Sequence, residues 1–225
     1  MKNKLLTGLL GFFIAILIIT FSIGLPIYFR PFYYIQIDTL DIAERTGYDR
    51  ETIIEAYNEL LDYLTIPGNE FGTGEFVYSE SGKSHFVDCK VLFDLNLYAF
   101  LISLVGFVTL IILNKKQVFE LWRPFKMNIA FSSGAYTLGG FALIGGLAAM
   151  NFDVAFTVFH TIFFPGKENW MFDPNTDAII NALPQEFFMN CAIMILCSII
   201  LLSLVCIAYG LIGRYKEKLK AKTYF

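Results

Sequence analysis

Four stretches of this chain are apolar over about the 20 residues that a helix needs to cross a bilayer. They are Leu5–Phe29, Leu95–Leu113, Ile129–Met150 and Ala192–Ile212. The chain is 56% apolar and 16% charged, against about 45–50% and about 25% in soluble domains. These features predict an all-α integral membrane protein, one membrane domain over residues 1–225 with four transmembrane helices. The first apolar run is too long for the core of a signal peptide and no A-x-A-like site follows it, so it reads as an uncleaved helix. Acidic residues (20) outnumber basic ones (17), which argues against a nucleic-acid partner.

Basic residues set orientation. The N-terminus, the Asn114–Asn128 loop and the tail from Gly213 hold 11 of the 17 basic residues and only two acids, Glu120 and Glu217. The segments 30–94 and 151–189 hold 6 basic and 18 acidic residues. Both termini are therefore expected in the cytoplasm, with the two long segments forming a small extracytoplasmic cap on a multi-pass protein of the cell membrane. Cys191, Cys197 and Cys206 lie on or beside the fourth span, and no disulfide framework is indicated. A Cys89–Cys191 pairing has no support beyond its possibility.

In the first outer segment, Asp49 reads as the N-cap of a helix over Arg50–Thr65, with Ile53, Tyr57, Leu60, Leu61 and Leu64 on one face and Pro67-Gly68 as the stop. A shorter helix over Asp38–Thr46 is expected to end at Gly47. Gly68–Gly82 reads as turns with a short strand at Glu75–Tyr78, and a helix starting near Ser84 is expected to run into the second span. The second outer segment concentrates Phe156, Phe159, Phe163, Phe164, Trp170, Phe172, Phe187 and Phe188. On composition such rings read first as a belt at the membrane–water interface, and belt residues can also line a lipid pocket.

The chain has two histidines, His85 and His160. His85 precedes the second span by 10 residues and His160 follows the third by 10. With continuing helices, both would stand about 15 Å beyond the spans on the same side. Histidine's ordinary pKa suits proton transfer near neutrality. A metal held with Asp88 or another carboxylate as third ligand is the alternative, though H-E-x-x-H and zinc-type Cys/His spacings are absent. Asp88, one turn beyond His85, would orient its ring or pair with Lys83 or Lys90. No G-x-S-x-G elbow, P-loop or G-x-G-x-x-G is present, so neither a hydrolase serine nor nucleotide use is signalled. Gly134, Gly139, Gly140, Gly145 and Gly146 read as close helix packing. Few polar groups lie deep in the spans, which argues against an ion pathway.

The chain resembles the lipoprotein intramolecular transacylase (Lit) family of Gram-positive bacteria. The resemblance covers nearly its whole length and is carried by "RETIIEAYNELLDYL" from Arg50, "SHFVDCKVLF" from Ser84, "FHTIFFPGKENWMFDP" from Phe159 and "LPQEFF" from Leu183. Phe86 stands where a Leu-like residue is common, and Cys89 where Val is common. The resemblance implies transfer of the sn-2 acyl chain of a diacylated lipoprotein to the α-amino group of its N-terminal cysteine, giving a lyso-form lipoprotein. It also implies His85 and His160 as the catalytic pair and a diacylated lipoprotein substrate within the bilayer lipid; the absent motifs lead to the expectation of no metal or cofactor.

The residues fit that chemistry on their own terms. Direct attack closes an eight-membered ring within one substrate, with no enzyme nucleophile required. The site must bend the substrate and exclude water, for which Phe163, Phe164, Trp170, Phe172 and Phe187 are the candidate lining. His85, near a helix N-terminus, is expected to have a lowered pKa and act as base, with His160 late in its helix as acid. A membrane lipid or acyl hydrolase using the same pair, and a non-catalytic scaffold that binds a partner through its outer loops, are the competing readings.

Overall fold

The structure, a computed structural model, describes residues 2–223. It is all-helical apart from a two-residue parallel pairing of Lys2–Asn3 (β1) with Glu120–Leu121 (β2). The helices are α1 (Lys4–Tyr28), α2 (Pro31–Thr39), α3 (Ile42–Thr46), α4 (Arg50–Thr65), α5 (Glu80–Lys115), α6 (Ile129–Met150), α7 (Phe152–Phe163), α8 (Ile179–Ala182) and α9 (Gln185–Thr223). Of these, α1, α5, α6 and α9 are long and apolar enough to cross a membrane, as the sequence predicts.

The chain divides into two compact units. One comprises the chain through Ile23, Leu97–Gly146 and the chain from Ile195; the other comprises Gly24–Asn96 and Leu147–Met194. In the first unit Leu10, Leu110 and Phe119 form a buried cluster. Gly11 and Gly134 allow close helix contact, the first against Ile129 and Ser133, the second against the Ser203 carbonyl. Gly145 meets Leu196, whereas Gly139, Gly140 and Gly146 face open space. Packing therefore accounts for only part of the glycine series.

The second unit is organised by α4. Asp49 accepts from the backbone N–H of Thr52 at 2.8 Å, satisfying a donor that the first helical turn leaves free. Ile53, Ala56, Tyr57, Leu60, Leu61 and Leu64 are buried on one face, the periodicity of an amphipathic helix. They pack with Tyr33, Ile37, Phe76, Ile179, Leu183 and Phe187.

Three local expectations change. The helix over Asp38–Thr46 is broken, because Leu40 closes α2 and Asp41 takes a left-handed conformation (φ 51°) before α3 begins. Gly47, at φ 73°, ends α3 as expected. Glu75–Tyr78 is not a strand: Thr73 bridges to the Phe76 carbonyl at 2.7 Å in a turn that buries Phe76. The helix carrying His85 begins at Glu80, four residues before the expected start, because Ser79 caps it. Its hydroxyl accepts from the Gly82 N–H at 3.0 Å.

That cap is tied across the unit. The buried Asp177 carboxylate accepts from the Ser79 N–H (2.8 Å), the Ser79 hydroxyl (2.9 Å) and the Thr176 hydroxyl (3.0 Å). A side chain at Gly82 would collide with Asp177 and Phe172. Asp177→Ala leaves the part-buried Ser79 N–H and hydroxyl and the Thr176 hydroxyl without their shared acceptor, so it is expected to destabilise this unit by about 1–3 kcal/mol. Hydrogen exchange should show the loss first at the amides of residues 79–84; unchanged protection there would contradict the tie.

Candidate active site

His85 sits in the second turn of α5 and His160 in the last turn of α7. α7 is not a continuation of α6: Asn151 (φ −159°) breaks the chain and caps α7, accepting from the Val154 N–H at 3.1 Å. The two rings nevertheless meet, with centroids 5.8 Å apart and planes inclined by 32°. Both are buried, His85 at 5% and His160 at 6% exposure. Phe164 touches both rings, at 4.8 Å from His85 and 5.7 Å from His160. Phe172 stands edge-on to His85 at 5.5 Å. Trp170 stacks on His160 at 4.6 Å, and Phe156 lies at 4.2 Å.

A model of the family described as lipoprotein intramolecular transacylase Lit matches residues 8–188. The chain belongs to that family. A search of curated proteins finds no match. Among solved structures, the membrane-integral lipoprotein intramolecular transacylase Lit from Bacillus cereus is similar with a TM-score of 0.81 and 27% identity, over 98% of this chain and 97% of that one. Two structures of that protein with a histidine replaced, by arginine or by alanine, each match at 0.78 and 26% identity, over 96% of this chain and 93% or 94% of theirs.

Within this Lit-family fold, hydrogen bonds fix part of the site's chemistry. His160 Nδ1 lies 2.7 Å from the Phe156 carbonyl. A carbonyl only accepts, so Nδ1 carries the proton and Nε2 of the neutral ring has a free lone pair. Cys89, one turn beyond His85 on α5, places its sulfur 3.4 Å from His85 Nε2. Burial pushes that thiol up to about 12, so it remains S–H at neutral pH. Cys89 and Cys191 are both free thiols. Among the described residues, no three His, Cys, Asp or Glu side chains converge as metal ligands.

The Asp88 carboxylate accepts from Lys167 Nζ and, at 3.0 Å, from Asn169 Nδ2. Burial raises the Asp88 pKa, but these two bonds outweigh it and hold the carboxyl below its usual range. Lys167, not Lys83 or Lys90, is its ion-pair partner. The lining candidates separate in space. Phe164, Trp170 and Phe172 contact the histidines, while half-exposed Phe163 pairs with Phe159 at 4.6 Å. Phe187 packs in the core, edge-on to Tyr33 at 5.2 Å. Phe156, Lys167, Asn169 and Cys89 were not legible as site members, because their roles arise from contacts between distant segments. Asn169 and Lys167 do lie within the motif that carries His160.

The His85 pKa is lowered to about 4, first by burial and then by repulsion from His160. The expected cause, the helix N-terminus, does not apply. With α5 starting at Glu80, the ring lies beyond the first turn, where the dipole acts. The His160 pKa is also lowered by burial, opposed by its bond to the Phe156 carbonyl. Folded-state values below the unfolded value of about 6.5 cost the fold nothing above that pH and destabilise it below, where the unfolded chain is protonated first. Stability should therefore be flat between pH 7 and 8 and fall as pH drops from about 6.5 toward 4, where the unfolded chain binds protons first. Thermal unfolding in detergent micelles measures this, and His85→Gln should flatten the slope. An equal slope in that variant would assign the dependence elsewhere.

Proposed function

We propose that the chain moves the sn-2 acyl group of a diacylated lipoprotein to the α-amino group of that lipoprotein's N-terminal cysteine, with His85 and His160 as the proton-transferring pair. One observation carries this reading: two buried imidazoles 5.8 Å apart, enclosed by Phe164, Trp170 and Phe172. Family membership agrees with it. The proposed setting is the cell membrane, with cytoplasmic termini and the site at the extracytoplasmic face, a lipoprotein substrate in the bilayer, and no cofactor or nucleotide.

The protons balance across two histidines. The substrate amine arrives as an ammonium and gives its first proton to His160, whose pKa is the less strongly lowered of the two. The free amine attacks the ester carbonyl through the eight-membered ring. As the C–N bond forms, His85, held neutral by burial, takes the second proton. Protonated His160 then donates to the departing glycerol oxygen as the C–O bond breaks, and His85 releases its proton to water. Apolar rings around the pair exclude the water that would divert the acyl group. Phe163 is proposed at the mouth of the site and Phe187 behind its wall.

Mass spectrometry of a lipoprotein N-terminal peptide, with and without the purified protein, tests the reading. Unchanged total mass with one acyl group relocated to nitrogen is the expected result. Loss of an acyl group would indicate a hydrolase, and an unaltered peptide would leave only a binding role.

A further inference from the structure

The loop after α7 reaches His85 through groups that the proton transfers above leave without a task. Asn169 Nδ2 donates to Asp88 Oδ2 at 3.0 Å and approaches Ser84 Oγ at 3.3 Å. A carboxylate cannot donate, so the amide nitrogen must stay on that side and the oxygen on the other. Lys167 satisfies the second carboxylate oxygen of Asp88. The remaining amide atom, Asn169 Oδ1, is buried without a hydrogen-bond partner, and so is Nδ1 of His85. Buried orphans are uncommon in folded proteins, and these two are complementary if His85 carries its proton on Nδ1.

The other side of the ring agrees. The Cys89 thiol lies against Nε2, and an S–H can donate there only to a lone pair. A thiol donating in that direction fits a neutral ring with its proton on Nδ1. His160 is held the same way, through the Phe156 carbonyl. The Asn169 side chain also favours the protonated His85 ring, as an acceptor facing an N–H would.

We infer that Asn169 is the positioning residue of His85, its Oδ1 accepting the Nδ1–H of the ring and leaving the lone pair on Nε2. Asp88 then acts on His85 through Asn169, by fixing which way the amide points, and Lys167 holds Asp88 in place. The consequence for rate rests on the acyl-transfer reading; the tautomer does not.

The chain's two histidines make the test direct. Full-length protein without a histidine tag, labelled with ¹⁵N-histidine and held in detergent micelles near pH 7.5, gives NMR signals from two imidazoles. His160→Gln assigns them. In the native protein, His85 is expected as a single neutral tautomer protonated at Nδ1. Asn169→Ala should shift it toward a mixture with the Nε2–H form, while the His160 signals stay in place and report an intact site. Asn169→Ala should also lower kcat about 10–100-fold with little change in KM.

A native His85 protonated at Nε2 overturns the inference without any variant. So does an Asn169→Ala spectrum unchanged at His85. If the native protein relocates no acyl group, the functional reading fails while the tautomer is still decided by NMR.

Discussion

Replacing His160 by alanine is expected to slow the proposed lipoprotein N-acylation by about 10²–10⁴-fold, the usual range for a positioned acid–base group, while leaving the protein folded. The ring is pinned at Nδ1 by the Phe156 carbonyl and covered by Phe156 and Trp170. Its Nε2 is therefore its only nitrogen free for chemistry. Fold retention is reasonable because the surrounding rings contact one another, Phe156 meeting Trp170 at 6.5 Å and Phe188 at 5.8 Å. Rates from the lipoprotein peptide assay, set beside thermal unfolding, separate the two effects. A rate within a few-fold of the native protein would remove His160 from the proton path.

The largest stability effect is expected at Tyr33, which is fully buried. Its ring stacks on Tyr57 at 3.8 Å and meets Phe187 edge-on at 5.2 Å. Its hydroxyl donates to the Ala182 carbonyl at 2.7 Å, joining α2 to α8. Tyr33→Ala removes both the ring and the bond, and large aromatic truncations in cores cost about 3–5 kcal/mol. Tyr33→Phe keeps the ring and should cost about 1–3 kcal/mol, since the carbonyl is left unmet. The difference between the two variants isolates the stacking. Unfolding followed by tryptophan fluorescence in detergent micelles gives both values. Equal losses in the two variants would show that the hydroxyl, not the ring, holds the core.

How much was legible in the sequence depends on the range of the interactions. The four apolar helices and α4 were readable because bilayer thickness, helical periodicity and the Asp49 cap act within one segment. α6 and α4 begin and end where the residues indicate. The misread elements are those governed by distant partners. Ser79 starts α5 early while Asp177, 98 positions away, holds it, and Phe76 gives up a strand to fill the core beside α4.

The site divides along the same line. Side-chain chemistry alone marked His85 and His160, since the chain offers no other imidazole and no nucleophile or nucleotide motif. Asp88 was also marked, but its bonds run to Lys167 and Asn169, and nothing local in α5 could indicate that. The sequence by itself determined the four apolar spans, α4 and the two imidazoles, because each follows from residues adjacent along the chain. Only tertiary structure decided that the rings meet, which nitrogen of His160 is free and that burial lowers both pKa values, because those depend on segments brought together from far apart.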